Sequence, residues 1–484
     1  MLYRTFPLKF LGICLYIGAA TCLAQPDLPR LGDRISGTVS LDQEYLMGQQ
    51  FLSQLRRGAP TIADALLNTY LEGISYRLAA RSQLTDRRLS FVIIDSEEIN
   101  AFAAPGGIIG VNTGLFLNAS SEAEFASVMG HEIAHVSQRH FARGVDEAQT
   151  GRVGHLASLL ASVLVMATSD GGHGAAALGA VQGLAMDRQL RFSRSNEQEA
   201  DRIGQDTLYN AGFDPSAQAR MYERLLAANR FGRRPPEFLL THPLTESRIS
   251  DSRARASRYP HRDYAPSFNY QIMRARVIGH YAQDKAALII DLERNLEDST
   301  NSFNEEVNRY SLAVAYWENG QYAEADRTLA PLLAKYPNLI SLVVTQAEIY
   351  TKQNEAGRAI QYLERHLEIN PGNHPLAMAH VDALLASRSY NAAAKIMEQH
   401  TKTRESDHHL WYQLAEIWGQ AGNISKVHQA RAEYFTLISD FRNARQQLQF
   451  ALQIETDEAR NPALQARLRQ KIKDLEDRQR ALNG

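Results

Sequence analysis

Four positions in the C-terminal part of the chain recur at one spacing, and that spacing narrows the fold more than any composition does. Gly320, Asn354, Arg388 and Gly422 stand 34 residues apart, and so do Tyr316, Tyr350, Leu384 and Trp418. Ala325, Ala359 and Ala393 share the period, and Pro337 and Pro371 end their units. A unit of this length is a helix pair that cannot bury its apolar face alone, so neighbours must stack into a solenoid. The period starts at about residue 304, is degenerate in units two and three, and contracts after the fourth, where Phe441 and Ala444 resume it early. The stretch 462–482 has a polar outer face and reads as a cap.

The whole chain of 484 residues has room for two to four domains at roughly 100–200 residues each. Its 44% hydrophobic and 22% charged residues exclude global disorder. With 52 basic and 54 acidic residues no basic excess exists to neutralise phosphates, which argues against nucleic acid as a partner. Arg4 and Lys9, the apolar run Phe10 to Ala20 and the small residues before Gln25 read as a secretory signal peptide over 1–24, with a membrane anchor as the competing reading. Cleavage after Ala24 removes Cys14 and Cys22, the only cysteines, and leaves a chain indifferent to the redox state of its compartment.

Between leader and repeats the pattern is mixed. Residues from about 41 to 82 have helical periodicity, Leu89 to Ile94 reads as a strand, and Pro105-Gly106-Gly107 is a turn before a second short strand. The segment 106–112 is expected at the edge of its sheet, facing a cleft. Ser121 and Glu124 have capping-box spacing, predicting one helix to about Arg143. Within 144–190 an apolar run at 156–168 falls short of a membrane span and reads as a buried or surface-docking helix, followed by a Gly/Ala loop; lying between the helix that starts at Ser121 and the one that starts near Ser195, the region is placed to act as a lid or plug, with a merely flexible insertion as the alternative. Another capped helix runs from near Ser195 to Gly212.

The chemistry concentrates in His131-Glu132-Ile133-Ala134-His135. At ~100° per residue the two histidines share a helical face, where both can bind one Zn²⁺, with Glu132 beside them as a base for a polarised water. No histidine stands six residues beyond His135, where Phe141 lies, so the third ligand is sought among acids on a second helix. Glu197 and Asp201, four apart, share a face there; Glu199 points elsewhere, and a solvated acidic helix start is the alternative. His140, His155 and His173 read as incidental, His140 because an unbroken helix puts it opposite His131. His242, before Pro243, is a turn histidine, an oxyanion donor or a ligand that blocks the open metal position; restraint of a secreted protease favours the last. Arg248 holds the neighbourhood of Glu197, contacts a substrate carbonyl or makes a plain salt bridge.

HEIAH followed by NEQEAD about 60 residues later, with NAFAAPGGIIGVNTGL upstream and THPLTESRI downstream, resembles the M48 peptidases, a gluzincin family, in that family's order. The resemblance implies one zinc per chain held by His131, His135 and Glu197, Glu132 as catalytic base, and Asp201 orienting His131. The first repeat unit, YWENGQYAEA with its closing Tyr-Pro, resembles tetratricopeptide repeats. The expected fold is therefore α+β and mostly helical: a gluzincin-type domain with a small sheet over 25–260, a helical connector over 261–303 and an α-solenoid over 304–484. A signal peptide, an M48 domain without spans and terminal repeats together resemble periplasmic members of the family. That implies unfolded or stalled outer-membrane β-barrel precursors as substrates, the barrel assembly machinery as a partner of the repeats, and the outer membrane as a surface for peripheral contact. The alternatives are a mainly non-proteolytic chaperone or adaptor, and an integral membrane CAAX-type protease. The latter is disfavoured by the lack of any apolar run of roughly 18 residues.

Overall fold

A computed structural model describes residues 39–147, 164, 194–231, 235–457 and 461–483. The signal peptide, the leader before Val39, and most of 144–190 with His155 and His173 lie outside the described residues.

Two helices open the described chain. α1 (Leu41–Gly58) starts at a capping box between Ser40 and Gln43, and α2 (Ala65–Ala79) is capped by the Asp64 carboxylate. The sheet has three strands, β1 (Ser90–Ile94), β2 (Ala101–Ala104) and β3 (Ile108–Asn112), in the order β1-β3-β2. β1 runs parallel to β3 with Ser90 opposite Ile108, and β2 runs antiparallel with Ala101 opposite Val111. The 106–112 segment is therefore not the sheet edge. Gly106 and Gly107, at φ 72° and 78°, reverse the chain in a three-residue turn that folds β2 outside β3. All five residues of β3 are buried, as a central strand requires.

After α3 (Thr113–Asn118) comes α4 (Glu122–Ser137), with the Ser121 hydroxyl accepting from the Glu124 N–H. The single helix expected to Arg143 is broken. Arg139 sits in the left-handed region at φ 52°, and α5 (His140–Glu147) begins on the far side of it. Arg139 is held there by its own side chain, which donates to Glu44 Oε2 at 3.0 Å and to the Val39 carbonyl at 2.6 Å. α6 (Arg194–Asn210) crosses α4 and ends at Gly212, φ 82°. α7 (Ala217–Phe231), α8 (Glu237–Thr241) and α9 (Glu246–Ala256) close around this pair.

α10 (Phe268–Tyr281) and α11 (Lys285–Glu297) lead into the repeats. α10 is not a loose tether: Tyr270 is fully buried among Tyr70, Phe116 and Phe125, and its hydroxyl donates to the Ala119 carbonyl at 2.9 Å. Four helix pairs follow, α12/α13 (Ser302–Glu318, Tyr322–Lys335), α14/α15 (Ile340–Lys352, Ala356–Ile369), α16/α17 (His374–Ala386, Tyr390–Thr401) and α18/α19 (His408–Gln420, Ile424–Leu437). Then come α20 (Phe441–Asp457) and α21 (Pro462–Asn483). The 34-residue period has a backbone cause. Gly320, Asn354, Arg388 and Gly422 are the left-handed residues between the two helices of each pair, at φ 77°, 63°, 58° and 76°. Ala325, Ala359 and Ala393 are fully buried where the helices approach, which is why the position stays small.

One hydrophobic core runs from α2 through the sheet, α4 and α10 into the repeats as far as Ala383. Polar ties reinforce it: Arg276 bonds both Asp64, at 2.8 Å, and Glu348, at 2.9 Å, and Arg404 pairs with Glu72. Among the described residues no helix is long and apolar enough to cross a membrane.

Candidate metal centre

Two helices and one loop converge on a single point. α4 brings His131 and His135, one turn apart on its inner face, α6 brings Glu197, and the turn after α8 brings His242. None of the four is more than 3% exposed. Gly130 and Gly204 let the helices meet backbone to backbone: a Cβ on Gly204 would stand 3.0 Å from the His131 nitrogen and 3.1 Å from the Gly130 carbonyl.

The spacing within the cluster tests whether a metal fits. His131 Nε2 lies 3.0 Å from His135 Nε2 and 3.4 Å from His242 Nδ1. The Glu197 oxygens lie 3.5 Å from each of the first two nitrogens and 3.0 Å from the third. Two ligands at ~2 Å from a tetrahedral ion stand about 3.3 Å apart, and these five contacts bracket that distance, so the cluster of His131, His135, Glu197 and His242 could hold one metal ion. The electrostatics agree. Burial alone would lower the His131 pKa, yet Asp201 and Glu197 raise it to about 9. Burial would raise Glu197, but His242, His131 and His135 hold it well below the usual carboxylate range. His135 is pushed well down by burial and by His131 beside it. The acids around His131 thus favour positive charge in the pocket.

Behind the ligands the chain supplies orientation. Asp201 Oδ1 stands 3.1 Å from His131 Nδ1, and Arg248 clamps Asp201 through Nε at 2.7 Å and Nη2 at 2.8 Å. The Tyr222 hydroxyl donates to the same carboxylate. Arg248 Nη1 also reaches Glu197 Oε2 at 2.9 Å and donates to the Pro243 carbonyl at 2.7 Å. A single guanidinium thus contacts both acids and the loop that carries His242. Burial would raise the Asp201 carboxyl, but Arg248 and His131 press it far below its ordinary value.

Glu132 is fully buried beside the cluster, 3.5 Å from His242 Nε2. Burial raises its pKa, opposed by His242 and His131, and the Ala103 N–H of β2 favours the ionised form. The sheet edge along this side of the site is thus β2.

His140 is not incidental. The break at Arg139 turns it back toward α4, and its Nδ1 lies 2.8 Å from His135 Nδ1. Its Nε2 stands 3.1 Å from Glu199 Oε2, which also accepts from Arg143 Nη1 at 2.7 Å. These partners hold the Glu199 carboxyl down to about 2. His140, Glu199 and Tyr222 are the neighbours that sequence reasoning missed. The helix phase misled for His140, and no local signal marks the break: Gln138-Arg139 lacks glycine, proline or asparagine.

The chain matches known proteins in two stretches and along nearly its full length. Residues 65–256 match the model of peptidase family M48, and residues 304–465 match that of the ChAPs, the Chs5p-Arf1p-binding proteins. A putative β-barrel assembly-enhancing protease from Vibrio cholerae is 35% identical over 91% of this chain and 92% of its own. The β-barrel assembly-enhancing protease of Escherichia coli is 36% identical over 85% and 84%. The mitochondrial metalloendopeptidase OMA1 of Arabidopsis thaliana is 33% identical over 43% and 36%. A solved tetratricopeptide repeat protein from Parabacteroides merdae covers 58% of this chain and 97% of its own at 14% identity, with a TM-score of 0.28. M48 peptidases are metal-dependent, which agrees with the buried cluster described above. With the β-barrel assembly-enhancing proteases as relatives over most of its length, the chain belongs to the M48 family of metalloendopeptidases.

Proposed function

We propose that this protein is a zinc endopeptidase of the periplasm that degrades unfolded or stalled outer-membrane β-barrel precursors and also supports their assembly. The observation that carries the chemistry is the set of 3.0–3.5 Å separations among His131, His135, Glu197 and His242. The chain's similarity to β-barrel assembly-enhancing proteases of Vibrio cholerae, Yersinia pestis and Escherichia coli supports the assignment to barrel assembly.

In this reading His131, His135 and Glu197 hold the zinc, which supplies a Lewis acid that activates water and polarises the scissile carbonyl. Glu132 takes the proton of the attacking water and returns it to the leaving amine; its raised pKa suits both halves of that transfer. Asp201 and Arg248 keep His131 and Glu197 aimed. An extended substrate would add to β2, the outer strand of the sheet beside Glu132, and be read through its backbone, so segments of many sequences are accepted provided they are unfolded. His242 Nδ1 would take a fourth ligand position, and its Nε2 stands 3.5 Å from Glu132. A closed four-ligand shell is the mark of a silent site, so His242 must leave before substrate can enter. The repeat array extends the protease core and is the surface for the assembly machinery.

A mainly non-proteolytic chaperone or adaptor is the second reading, and the presence of His242 within the buried cluster is the observation that favours it. The full-length Glu132→Gln variant separates the two. Cleavage of unfolded casein should be abolished with zinc content and helical spectrum unchanged, because the amide keeps the shape but cannot take the proton. Cleavage within tenfold of wild type would remove Glu132 from the base role. A wild-type enzyme that holds zinc and never cleaves would favour the adaptor.

A further inference from the structure

We infer that His140 is a positioning residue for the metal: it fixes the tautomer of His135 through a histidine-to-histidine hydrogen bond anchored on Glu199. The inference rests on the metal-site reading above and adds a support that the two-histidine motif does not contain.

Proton bookkeeping carries it. The 2.8 Å contact between His140 Nδ1 and His135 Nδ1 needs one hydrogen between the two nitrogens. If His140 donates it and both rings are neutral, His135 carries its proton on Nε2, aimed at the metal position, and His140 turns a bare Nε2 lone pair on the Glu199 carboxylate 3.1 Å away. Both outcomes are repulsive. If His135 donates, His140 Nε2–H bonds Glu199, and His135 Nε2 is left bare toward the centre shared with His131, His242 and Glu197. Only the second arrangement satisfies the His135–His140 and His140–Glu199 contacts together and leaves a ligand. Glu199 is itself held by Arg143 at 2.7 Å, so the chain ends on a fixed charge.

The two motif histidines are thereby served by different devices. His131 has a carboxylate directly behind it, Asp201 at 3.1 Å. His135 has its carboxylate one ring further away, through His140. Glu197 and Glu199, two apart on α6, supply a ligand on one side and this anchor on the other. The break at Arg139 is what makes the second device, since a continuous helix would carry His140 to the opposite face. Loss of such an outer partner typically costs about 10–100-fold in metal affinity.

The test is zinc affinity of the full chain by competition with a chromophoric chelator, with the tautomer of His135 read by ¹⁵N NMR. His140→Leu should weaken zinc by about 10–100-fold while the metal-free melting temperature stays near wild type. His140→Asn, whose side-chain oxygen can replace the acceptor nitrogen, should recover most of that loss. The wild-type spectrum should show His135 protonated on Nδ1. An affinity unchanged in His140→Leu, or a loss in that variant that His140→Asn fails to recover, overturns the inference. His131→Ala is the control: if it binds zinc like wild type, the metal-site reading itself has failed. If it loses zinc while His140→Leu does not, only the role of His140 has failed.

Discussion

His242 shows how much one side chain can decide. Its backbone N–H donates to the Phe238 carbonyl at 2.9 Å, and its ring stacks on Phe238 with centroids 4.6 Å apart. Its Nδ1 lies 3.0 Å from Glu197 Oε1 and its Nε2 lies 3.5 Å from Glu132 Oε1. If it blocks, His242→Ala should raise basal peptide cleavage with zinc retained by the other three ligands. An oxyanion donor would show the opposite sign, a fall of roughly 10²-fold. A cleavage rate with zinc occupancy measured alongside distinguishes them, and a rate equal to wild type would leave His242 as an ordinary turn residue. The motif residues were legible because helix geometry alone brings His131 and His135 together, and because Glu197 and Asp201 keep the same spacing on their own helix. Tyr222 and Glu199 were not legible. Their roles depend on which residue of another helix lies opposite, and no local spacing encodes that.

At the scale of elements, the site depends on how closely α4 and α6 approach. Gly130 and Gly204 form that contact, and the space for a side chain on Gly204 is already taken by the α4 backbone. Gly204→Val should push the helices apart at a cost of about 1–3 kcal/mol and separate Glu197 from the histidines. The expected outcome is weaker zinc binding with most of the helical spectrum intact, measured by zinc titration and circular dichroism on the same sample. Zinc affinity equal to wild type would mean that the crossing tolerates the side chain. The start of α4 was legible from Ser121 because a cap is a local bond. The break at Arg139 was hidden because its cause is Glu44, 95 residues away in sequence. The strand order was misjudged for a related reason: the turn at Gly106 and Gly107 was visible, but not which of its two strands would find a second neighbour.

Across the whole molecule, protease and repeats share one core, and histidines sit at the seam. His374 stacks on His400 with Nδ1 and Nε2 2.8 Å apart, and His409 Nε2 lies 3.0 Å from the Thr61 hydroxyl. Burial pushes His374 down to about 3, with Arg404 and His400 adding to the effect, and pushes His408 down to about 2, with His409 and Arg56 adding. In the unfolded chain both titrate near 6.5, so the folded state binds fewer protons below that pH and loses stability as pH falls. The slope is roughly 1.4 kcal/mol per unit for each, or about 2 kcal/mol each between pH 6.5 and 5. Urea unfolding at pH 7.5 and 5 should show this loss, and His408→Gln should remove its share. Equal pH slopes for wild type and variant would contradict the assignment. The repeat register was legible because its period is that of a left-handed turn. The depth of the seam was not: the polar start of 261–303 gave no sign that Tyr270 would close the protease core.

On the proposed reading, α4 and α6 bring His131, His135 and Glu197 together as the ligands of one metal ion. Elemental analysis of the purified full-length protein, wild type beside Glu197→Ala, tests it most directly. One zinc per chain is expected in the wild type, and most of it should be lost in the variant. A wild-type protein without zinc, or a variant that keeps the full amount, would contradict it.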